Sequence, residues 1–378
     1  MAAVRVPGAY CLATRPLIPH FLMPAAATGE SGPVFGSSPR ILVIRLRRLG
    51  DLLLITPTLR AIRLAHPAAR LDVLVSAGFE GVLNGNPRIN EVLVLGPGLH
   101  AWMRVFATCH QRCYDLVLDL QSSPRSLPFV LLSGAAVRVG WKKRWVRDWA
   151  YTHLVPGWND PVYVARNTLR VAAAIGTPPP PDLRLELAVS AADRVRAAAV
   201  FERAGIDPAR PIVALSVVAQ VPRKVWPLER YAVLADRLIV SWGAQIVLSS
   251  GAGELAQVQR VVDRMRERPA LWNYGPTTIQ ELGAIYERCH LWIGNDGGPK
   301  HVATAVGCPT LVVIKPGDDR FWTDCGESPM QLAVQPLPEA GPEALPSAIS
   351  VEQVERIASR CLDTHSPRAA RVCAAVIP

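Results

Sequence analysis

The sequence predicts an α/β protein with two doubly wound domains. Three observations support this: short apolar runs alternate with helical stretches, the alternation breaks halfway along the chain, and it resumes after the break. At 378 residues the chain also exceeds the usual size of one hydrophobic core. We therefore expect two parallel sheets, each covered by helices on both faces.

Four runs rich in Val, Leu and Ile in the first half are interpreted as parallel strands. They are ILVIRL (41–46), LDVLVS (71–76), EVLVL (91–95) and YDLVLDL (114–120). The stretches between them, such as TPTLRAIRLAH, have the apolar spacing of a helix. Helical crossovers of this kind are what parallel strands require.

The break falls at 176–190, where four consecutive prolines rule out both a helix and a central strand. A helical stretch, AADRVRAAAVFERAG, follows this predicted linker. The second half then has four further strand-like runs: PIVALSV (211–217), AQIVLSS (244–250), LWIGNDG (291–297) and TLVVIKP (310–316). The last helix is predicted to begin near Ser350 as its N-cap.

These patterns predict a flexible leader over 1–39, because Pro, Gly, Ala and Ser occur there without sustained periodicity. They predict an N-terminal domain over 40–180, a C-terminal domain over 181–349, and a helix and tail over 350–378. Ligands of doubly wound sheets bind outside the carboxyl ends of the strands. We therefore expect a central cleft between the two domains to hold the site.

The composition is that of a globular protein, with half the residues hydrophobic and 19% charged. The apolar runs are too short to span a bilayer. A net charge of +10 favours an anionic partner, but no nucleic-acid-binding module is recognisable, so nucleic acid is not expected. The eight cysteines are scattered, which favours reduced thiols in a cytoplasmic protein. Cys109, His110 and Cys113 could be metal ligands, but no second ligand cluster accompanies them, so we predict no metal site. No cofactor is predicted either.

The segment VIRLRRLGDLLLITPTLRAI (43–62) begins as a strand and ends as a helix, with Gly50 and Asp51 at the joint. Gly50 is expected to let the chain turn tightly out of the strand. Asp51 would then lie at the carboxyl edge of the sheet, either as a helix cap or as a general base that takes a proton from an attacking hydroxyl. The residues alone leave both interpretations open.

A second segment, LWIGNDGGPKHVATAVGCPT (291–310), is an apolar strand that ends in Asp296, Gly297 and Gly298 at the start of a helix. Free amides at a helix start bind phosphate oxygens, and Lys300 and His301 would add donors. A carboxylate repels phosphates, so Asp296 is expected to accept hydrogen bonds from sugar hydroxyls or amides. A purely structural turn is the alternative.

Two further loops follow predicted strands of the second half. Lys224 is one of five lysines against 36 arginines, and its compact ammonium suits a pyrophosphate, with a solvated surface lysine as the alternative. Trp226 and Tyr231 are expected to pack the helix that begins near Pro227. Glu254 comes directly after a Gly-Ala-Gly turn, an arrangement typical of acids that hydrogen-bond ribose hydroxyls.

These residues together resemble glycosyltransferase family 9, the heptosyltransferases of the lipopolysaccharide inner core. The resemblance covers roughly residues 40 to 345. It rests on the order and spacing of four segments: RLRRLGDLLLITPTLRAI, YDLVLDLQSSPRS, KVWPLERY and GNDGGPKHVATAVGCPT. It implies the GT-B fold of two Rossmann-like domains. It also implies that the protein transfers a sugar with inversion, namely heptose from an ADP-heptose donor, onto a lipopolysaccharide core or related glycan.

The resemblance also implies residue roles. Asp51 takes the place of the catalytic base, and Lys224 that of the lysine on the donor phosphates. Glu254 matches the acid on the nucleoside, while the donor-binding turn comprises Asp296, Gly297, Gly298 and His301. The acceptor would be an anionic glycolipid or glycan bound by Arg47, Arg48 and Arg125. The mechanism implied is direct displacement, in which fixed positive groups stabilise the departing diphosphate without a metal.

The sequence departs from the family pattern at several positions. The family usually has Ser or Thr where Gly297 stands and small residues where Arg47 and Arg48 stand, and the loop that begins at Ser216 reads SVVAQ. A non-catalytic nucleotide- or glycan-binding protein of the same fold is therefore the alternative. The segment WKKRWVRDWAYTHLVPGW (141–158) combines basic residues with tryptophans, which suits a peripheral contact with the cytoplasmic face of the inner membrane. A loop whose tryptophans pack under the first domain is the other interpretation.

Overall fold

A computed structural model describes residues 35–366 apart from residues 144, 252, 276 and 326. Most of the predicted leader and the tail beyond Ser366 lie outside the described residues. The chain divides into two compact units, the first ending at Ala188 and the second beginning at Val189. We refer to them as the N-terminal and the C-terminal domain.

The N-terminal domain is a six-stranded parallel sheet with helices between its strands. In chain order its elements are β1 (Arg40–Ile44), α1 (Leu49–Leu53), α2 (Thr56–Ala65), β2 (Arg70–Ser76), β3 (Glu91–Leu95), α3 (Leu99–Arg112), β4 (Leu116–Asp119), α4 (Leu127–Leu132), β5 (Val137–Trp141), α5 (Trp145–Asp148), β6 (His153–Val155) and α6 (Val164–Ala173). The strand order is β3-β2-β1-β4-β5-β6, which is the Rossmann order with its switch point between β1 and β4. Ile44 pairs with Asp119 across that switch point.

The C-terminal domain contains a five-stranded parallel sheet. Its elements are α7 (Ala191–Arg203), β7 (Ile212–Ser216), α8 (Leu228–Trp242), β8 (Gln245–Leu248), α9 (Leu255–Val262), α10 (Ile279–Tyr286), β9 (Leu291–Asn295), α11 (Gly298–Ala305), β10 (Thr310–Val313), α12 (Asp319–Trp322), β11 (Gln331–Val334) and α13 (Val351–His365). The order β11-β10-β9-β7-β8 is the other common doubly wound arrangement. Its switch point lies between β7 and β9, where Ser216 pairs with Gly294.

The strand-like runs identified in the sequence all form strands, and each except β3 is buried along most of its length. Three strands are not predicted from the sequence: β5, β6 and β11. β5 has the sequence VRVGW, in which an arginine and a glycine interrupt the apolar run. Gly140 in this strand is required by packing, because an added Cβ would lie 2.4 Å from the Tyr151 ring.

Two helices that matter for the domain boundaries begin with a serine cap. Ser350 caps α13 in a capping box with Gln353, as predicted. Ser190 caps α7 in the same way with Asp193, directly after the proline-rich segment. Trp226 and Tyr231 pack as expected, since both are fully buried and meet edge to face with ring centroids 4.8 Å apart.

Candidate active site

The carboxyl ends of the neighbouring strands β1, β4 and β5 hold a group of charged residues in the N-terminal domain, which we call the N-terminal site: Arg45, Arg47, Asp51, Asp119 and Lys143. Arg45 donates one hydrogen bond to the Leu120 carbonyl at 2.6 Å and another to the Asp51 carboxylate at 2.5 Å. Burial lowers the pKa of Arg45, and the adjacent Asp51 offsets part of that shift. Arg45 therefore links the two loops that flank the switch point.

Asp51 occupies the third position of α1 and does not cap it. The N-cap is Arg48, and no side chain caps this helix. The Asp51 side chain is instead turned toward Arg45, and among the described residues its Oδ2 oxygen accepts no hydrogen bond. Gly50 is likewise a buried helical residue without a positive φ, so the expected tight glycine turn is wrong. The capping interpretation of Asp51 is therefore excluded.

Asp119 and Lys143 extend the N-terminal site behind Arg45. The fully buried Asp119 accepts hydrogen bonds from the amides of Gln121 and Ser122 and from the Tyr151 hydroxyl, at 2.8 to 2.9 Å. Lys143 donates to the Gln121 carbonyl at 2.5 Å, and burial lowers its pKa to about 8. No sequence pattern marks Asp119 as a site residue, and Lys143 stands out in the sequence only as part of the basic 141–158 segment.

The three arginines assigned to the acceptor differ from Arg45 in that Arg47, Arg48 and Arg125 are all exposed. Arg47 and Arg48 follow β1 and Arg125 follows β4, so all three lie at the same edge of the sheet. Their guanidinium groups remain accessible to an anion in solution. The geometry is that of a cationic rim beside Asp51.

In the C-terminal domain, the ends of β7 and β9 bring together Lys224, Asp296, Gly298 and His301, which we call the C-terminal site. The Lys224 ammonium donates a hydrogen bond to the Asp296 carboxylate. The Asp296 side chain is 7% exposed and that of Lys224 26%, so this lysine is not a solvated surface residue. The side chain of the buried Asn295 fixes both loops: its amide donates to the Val217 carbonyl at 3.0 Å, and its oxygen accepts from the Trp226 amide at 2.8 Å.

Helix α11 begins at this point, with Gly297 as its N-cap and no side chain capping its first turn. Gly297 is extended, with φ −175°, a conformation open to any residue. An added Cβ would meet nothing closer than 3.8 Å. The uncapped amides and the helix dipole leave this end of α11 suited to an anion.

His301 and Lys300 follow on α11 and behave differently from the sequence prediction. His301 is 3% exposed, its Nδ1 has no hydrogen-bond partner among the described residues, and burial lowers its pKa well below the usual value. The imidazole is therefore neutral, and its Nδ1 remains available for a hydrogen bond with a ligand. Lys300 is fully buried and donates to the Trp322 carbonyl at 2.7 Å and to Gln331 Oε1 at 2.8 Å, so it cannot add a donor for phosphates.

Glu254 lies after β8, the strand next to β7, as the N-cap residue of α9. Its carboxylate accepts a hydrogen bond from the Gly251 amide at 2.7 Å. An added Cβ at Gly251 would approach that carboxylate to 2.9 Å, so the glycine leaves room for this turn. Glu254 remains half-exposed at the carboxyl edge of the sheet.

Other sequence predictions concern the surface and metals. Trp141 is buried at the end of β5, whereas Trp149 and Trp158 are 67% and 49% exposed, so the tryptophans of the 141–158 segment are only partly packed into the domain. Arg144 lies outside the described residues. Every helix in the described part of the chain is too short or too polar to cross a membrane. Within those residues no three His, Cys, Asp or Glu side chains are grouped as metal ligands would be.

Comparison with known proteins identifies the family. The sequence profile of glycosyltransferase family 9 (heptosyltransferase) matches residues 102–341. Lipopolysaccharide heptosyltransferase 3 of Escherichia coli is 26% identical over 294 residues, covering 73% of this chain and 84% of the relative. Lipopolysaccharide heptosyltransferase 2 of Salmonella typhimurium is 25% identical over 300 residues, covering 75% and 84%.

Solved structures agree on the fold. A family 9 glycosyl transferase from Veillonella parvula has a TM-score of 0.75 at 24% identity, over 86% of this chain and 97% of that one. The ADP-heptose lipopolysaccharide heptosyltransferase II of E. coli has a TM-score of 0.68 at 21% identity, over 85% and 98%. Each of the two domains is thus Rossmann-like, as in enzymes of the GT-B fold. The profile spans more than half of the chain, and the protein therefore belongs to glycosyltransferase family 9 and is a glycosyltransferase.

Proposed function

We propose that this enzyme transfers heptose from ADP-heptose, with inversion, to a hydroxyl of a lipopolysaccharide core or related glycan. The names of the family and of its relatives, which are lipopolysaccharide heptosyltransferases, support this sugar and this acceptor class. The observation that carries the proposal is the C-terminal site, where a lysine, an uncapped helix start and a buried imidazole meet at the switch point of the sheet.

The donor diphosphate is assigned to the start of α11 and to Lys224. Amides of the turn at Gly297 and Gly298 offer hydrogen bonds to phosphate oxygens, and the helix dipole favours their negative charge. Lys224 supplies a positive charge for the diphosphate, and its present partner, Asp296, would then accept hydrogen bonds from sugar hydroxyls instead. His301 is assigned to the same ligand through its unpartnered Nδ1, and Glu254 to the ribose of the nucleoside.

Asp51 is assigned as the general base. The hydrogen bond from Arg45 to Oδ1 fixes the orientation of the carboxylate and leaves Oδ2 to take the proton of an acceptor hydroxyl. That hydroxyl would attack the anomeric carbon while the bond to the diphosphate breaks, with Lys224 and the α11 amides stabilising the leaving charge. Asp51 lies outside the residues matched by the family profile, so its role rests on this geometry and on the resemblance of the segment RLRRLGDLLLITPTLRAI to the family.

The acceptor is assigned to Arg47, Arg48 and Arg125, whose exposed guanidinium groups can bind phosphate or carboxylate groups of an anionic glycan. We also propose that the enzyme works at the cytoplasmic face of the inner membrane. Exposed Trp149 and Trp158 support this contact, because tryptophan beside basic residues suits the headgroup region.

Donor binding is tested by thermal shift and titration with ADP and ADP-heptose. A ligand that binds only the folded state stabilises it by about 2.7 kcal/mol at a hundredfold excess over its dissociation constant. Lys224→Ala should weaken ADP binding by about 2 to 3 kcal/mol, the scale of a charge-assisted hydrogen bond. Arg237→Ala is the matched control, because Arg237 is also ion-paired, with Glu355 at 2.9 Å. Equal ADP affinity in both variants would sink the assignment of Lys224.

The base is tested by Asp51→Asn, which retains an oxygen for the Arg45 hydrogen bond but cannot take a proton. We expect unchanged folding and donor affinity, and turnover lowered by roughly 10² to 10⁴. Asp160→Asn is the control, since Asp160 pairs with Arg170 at 2.6 Å in the same domain. Wild-type turnover in Asp51→Asn would exclude this base, and a wild type that binds ADP without transferring sugar would favour the non-catalytic alternative.

A further inference from the structure

A tryptophan borders the charged pair of the C-terminal site. Trp322 ends the short helix α12, which follows β10, and its side chain is half-buried. The centre of its indole ring lies 6.0 Å from the Lys224 ammonium, which is itself bonded to Asp296. The ring is therefore a wall of the site, within range of a cation–π interaction with Lys224.

Trp322 is held in place by a buried lysine. Lys300 donates to the Trp322 carbonyl and to the side chain of Gln331, and Gln331 Oε1 also accepts from the Asp324 amide at 3.3 Å. Lysine is almost never fully buried unless its ammonium is bonded, because desolvating the charge is costly. Lys300 thus fixes the segment that carries the indole against α11 and β11.

The order of the strands sets the direction in which a donor lies. The spatial order of the strands across the sheet is β8, β7, β9 and β10. Glu254 follows β8, and Trp322 follows β10. The two residues are on opposite sides of the switch point, three strand spacings or roughly 14 Å apart in that direction. A donor with its nucleoside at Glu254 and its diphosphate at the start of α11 therefore extends its sugar toward Trp322.

We propose that Trp322 is a specificity-determining residue whose indole packs against the apolar face of the donor sugar. This inference rests on the proposed function, because it takes the nucleoside and diphosphate positions from it. The indole provides a broad apolar surface, while the adjacent Asp296 accepts hydrogen bonds from the hydroxyls at the sugar's rim. Lys300 is a positioning residue that acts through Trp322.

The test is titration of ADP and of ADP-heptose into Trp322→Ala and Trp322→Phe. Removal of the ring should weaken ADP-heptose binding about three- to tenfold, the scale of one aromatic contact, and change ADP affinity less than twofold. Phenylalanine should restore most of the loss. Trp242→Ala is the matched control: it removes another half-buried indole, at the C-terminal end of α8 and hence at the opposite edge of the sheet.

Lys300→Met supplies an independent measurement. It should reproduce the selective loss of ADP-heptose affinity, and combining it with Trp322→Ala should add little, because both changes act through the same ring. Equal weakening of ADP and ADP-heptose in Trp322→Ala would mean that the ring merely supports Lys224, and unchanged affinity for both would leave it no role; either result overturns the inference. A wild type that binds neither ligand would overturn the proposed function, and this inference with it.

Discussion

Asn295 offers a sharp test of how the C-terminal site is assembled. Its side chain is buried and makes two hydrogen bonds to the loop that carries Lys224, at 2.8 and 3.0 Å. Asn295→Ala would leave the Trp226 amide and the Val217 carbonyl without partners. An unpaired buried polar group costs about 1 to 3 kcal/mol, so for two such groups we expect a loss of roughly 2 to 6 kcal/mol in the free energy of unfolding.

The loop would also lose its attachment to β9, so the ammonium of Lys224 should no longer be fixed beside Asp296. We therefore expect weaker ADP binding in Asn295→Ala, measured by titration calorimetry at a temperature where the variant is folded. Urea unfolding gives the stability. Gln245→Ala is the matched control, because this buried amide also makes two hydrogen bonds, both to Asp207, but at the beginning of β8. It should cost stability and leave ADP affinity intact.

Two results would contradict this role of Asn295: unfolding of Asn295→Ala at the same urea concentration as the wild type, or an equal loss of ADP affinity in both variants. The first result would mean that water replaces the amide without cost. The second would mean that nucleotide affinity follows overall stability and not the position of this loop.

Further predictions concern Lys300, Arg47 and Gly297. Burial lowers the pKa of Lys300 to about 8, so between pH 8 and 10 the unfolded chain binds a proton that the folded chain does not, and stability should rise with pH. Urea unfolding should show that the free energy of unfolding of the wild type rises by up to about 3 kcal/mol more than that of Lys300→Met over this pH window. An identical pH dependence of stability in the two proteins would refute the lowered pKa of Lys300. Arg47→Ala should raise the Michaelis constant for the acceptor more than that for the donor, and a larger donor effect would contradict its place on the acceptor side. Gly297→Ser should change the thermal midpoint by less than about 2 °C, since the space and backbone admit a side chain; a larger drop would show hidden crowding.

The ends of the strands were the most predictable part of the site. Asp51, Lys224 and Asp296 each follow an apolar run, and in a parallel sheet such residues gather at one edge. The structure confirms these strands and places Lys224 beside Asp296. No local pattern could predict that the pairing partner of Lys224 would be this carboxylate, because the two are 72 residues apart.

Other features depend on tertiary contacts that periodicity does not contain. Lys224 and Lys300 are both predicted from the sequence to donate to phosphates, but their surroundings differ. Lys224 is partly exposed, whereas Lys300 is fully buried because its position on α11 directs its ammonium to Gln331. Asn295 and Trp322 gave no signal beyond a strand end and an aromatic residue. The helix-capping alternative for Asp51 is wrong because its carboxylate accepts a hydrogen bond from Arg45, six residues earlier, and not from the backbone amides of α1.

The extended backbone at Gly297 bears on how this chain could diverge from its relatives. A glycine in the left-handed region is fixed by the geometry of the fold, but Gly297 is not in that region and has empty space at its Cβ. A hydroxyl-bearing residue, as the family pattern has there, could be introduced or lost in one mutational step without rebuilding the turn. With the donor held at the start of α11 as proposed above, a substitution here would change the groups that face the donor while the scaffold stays constant, which makes the position a natural starting point for directed evolution of donor preference.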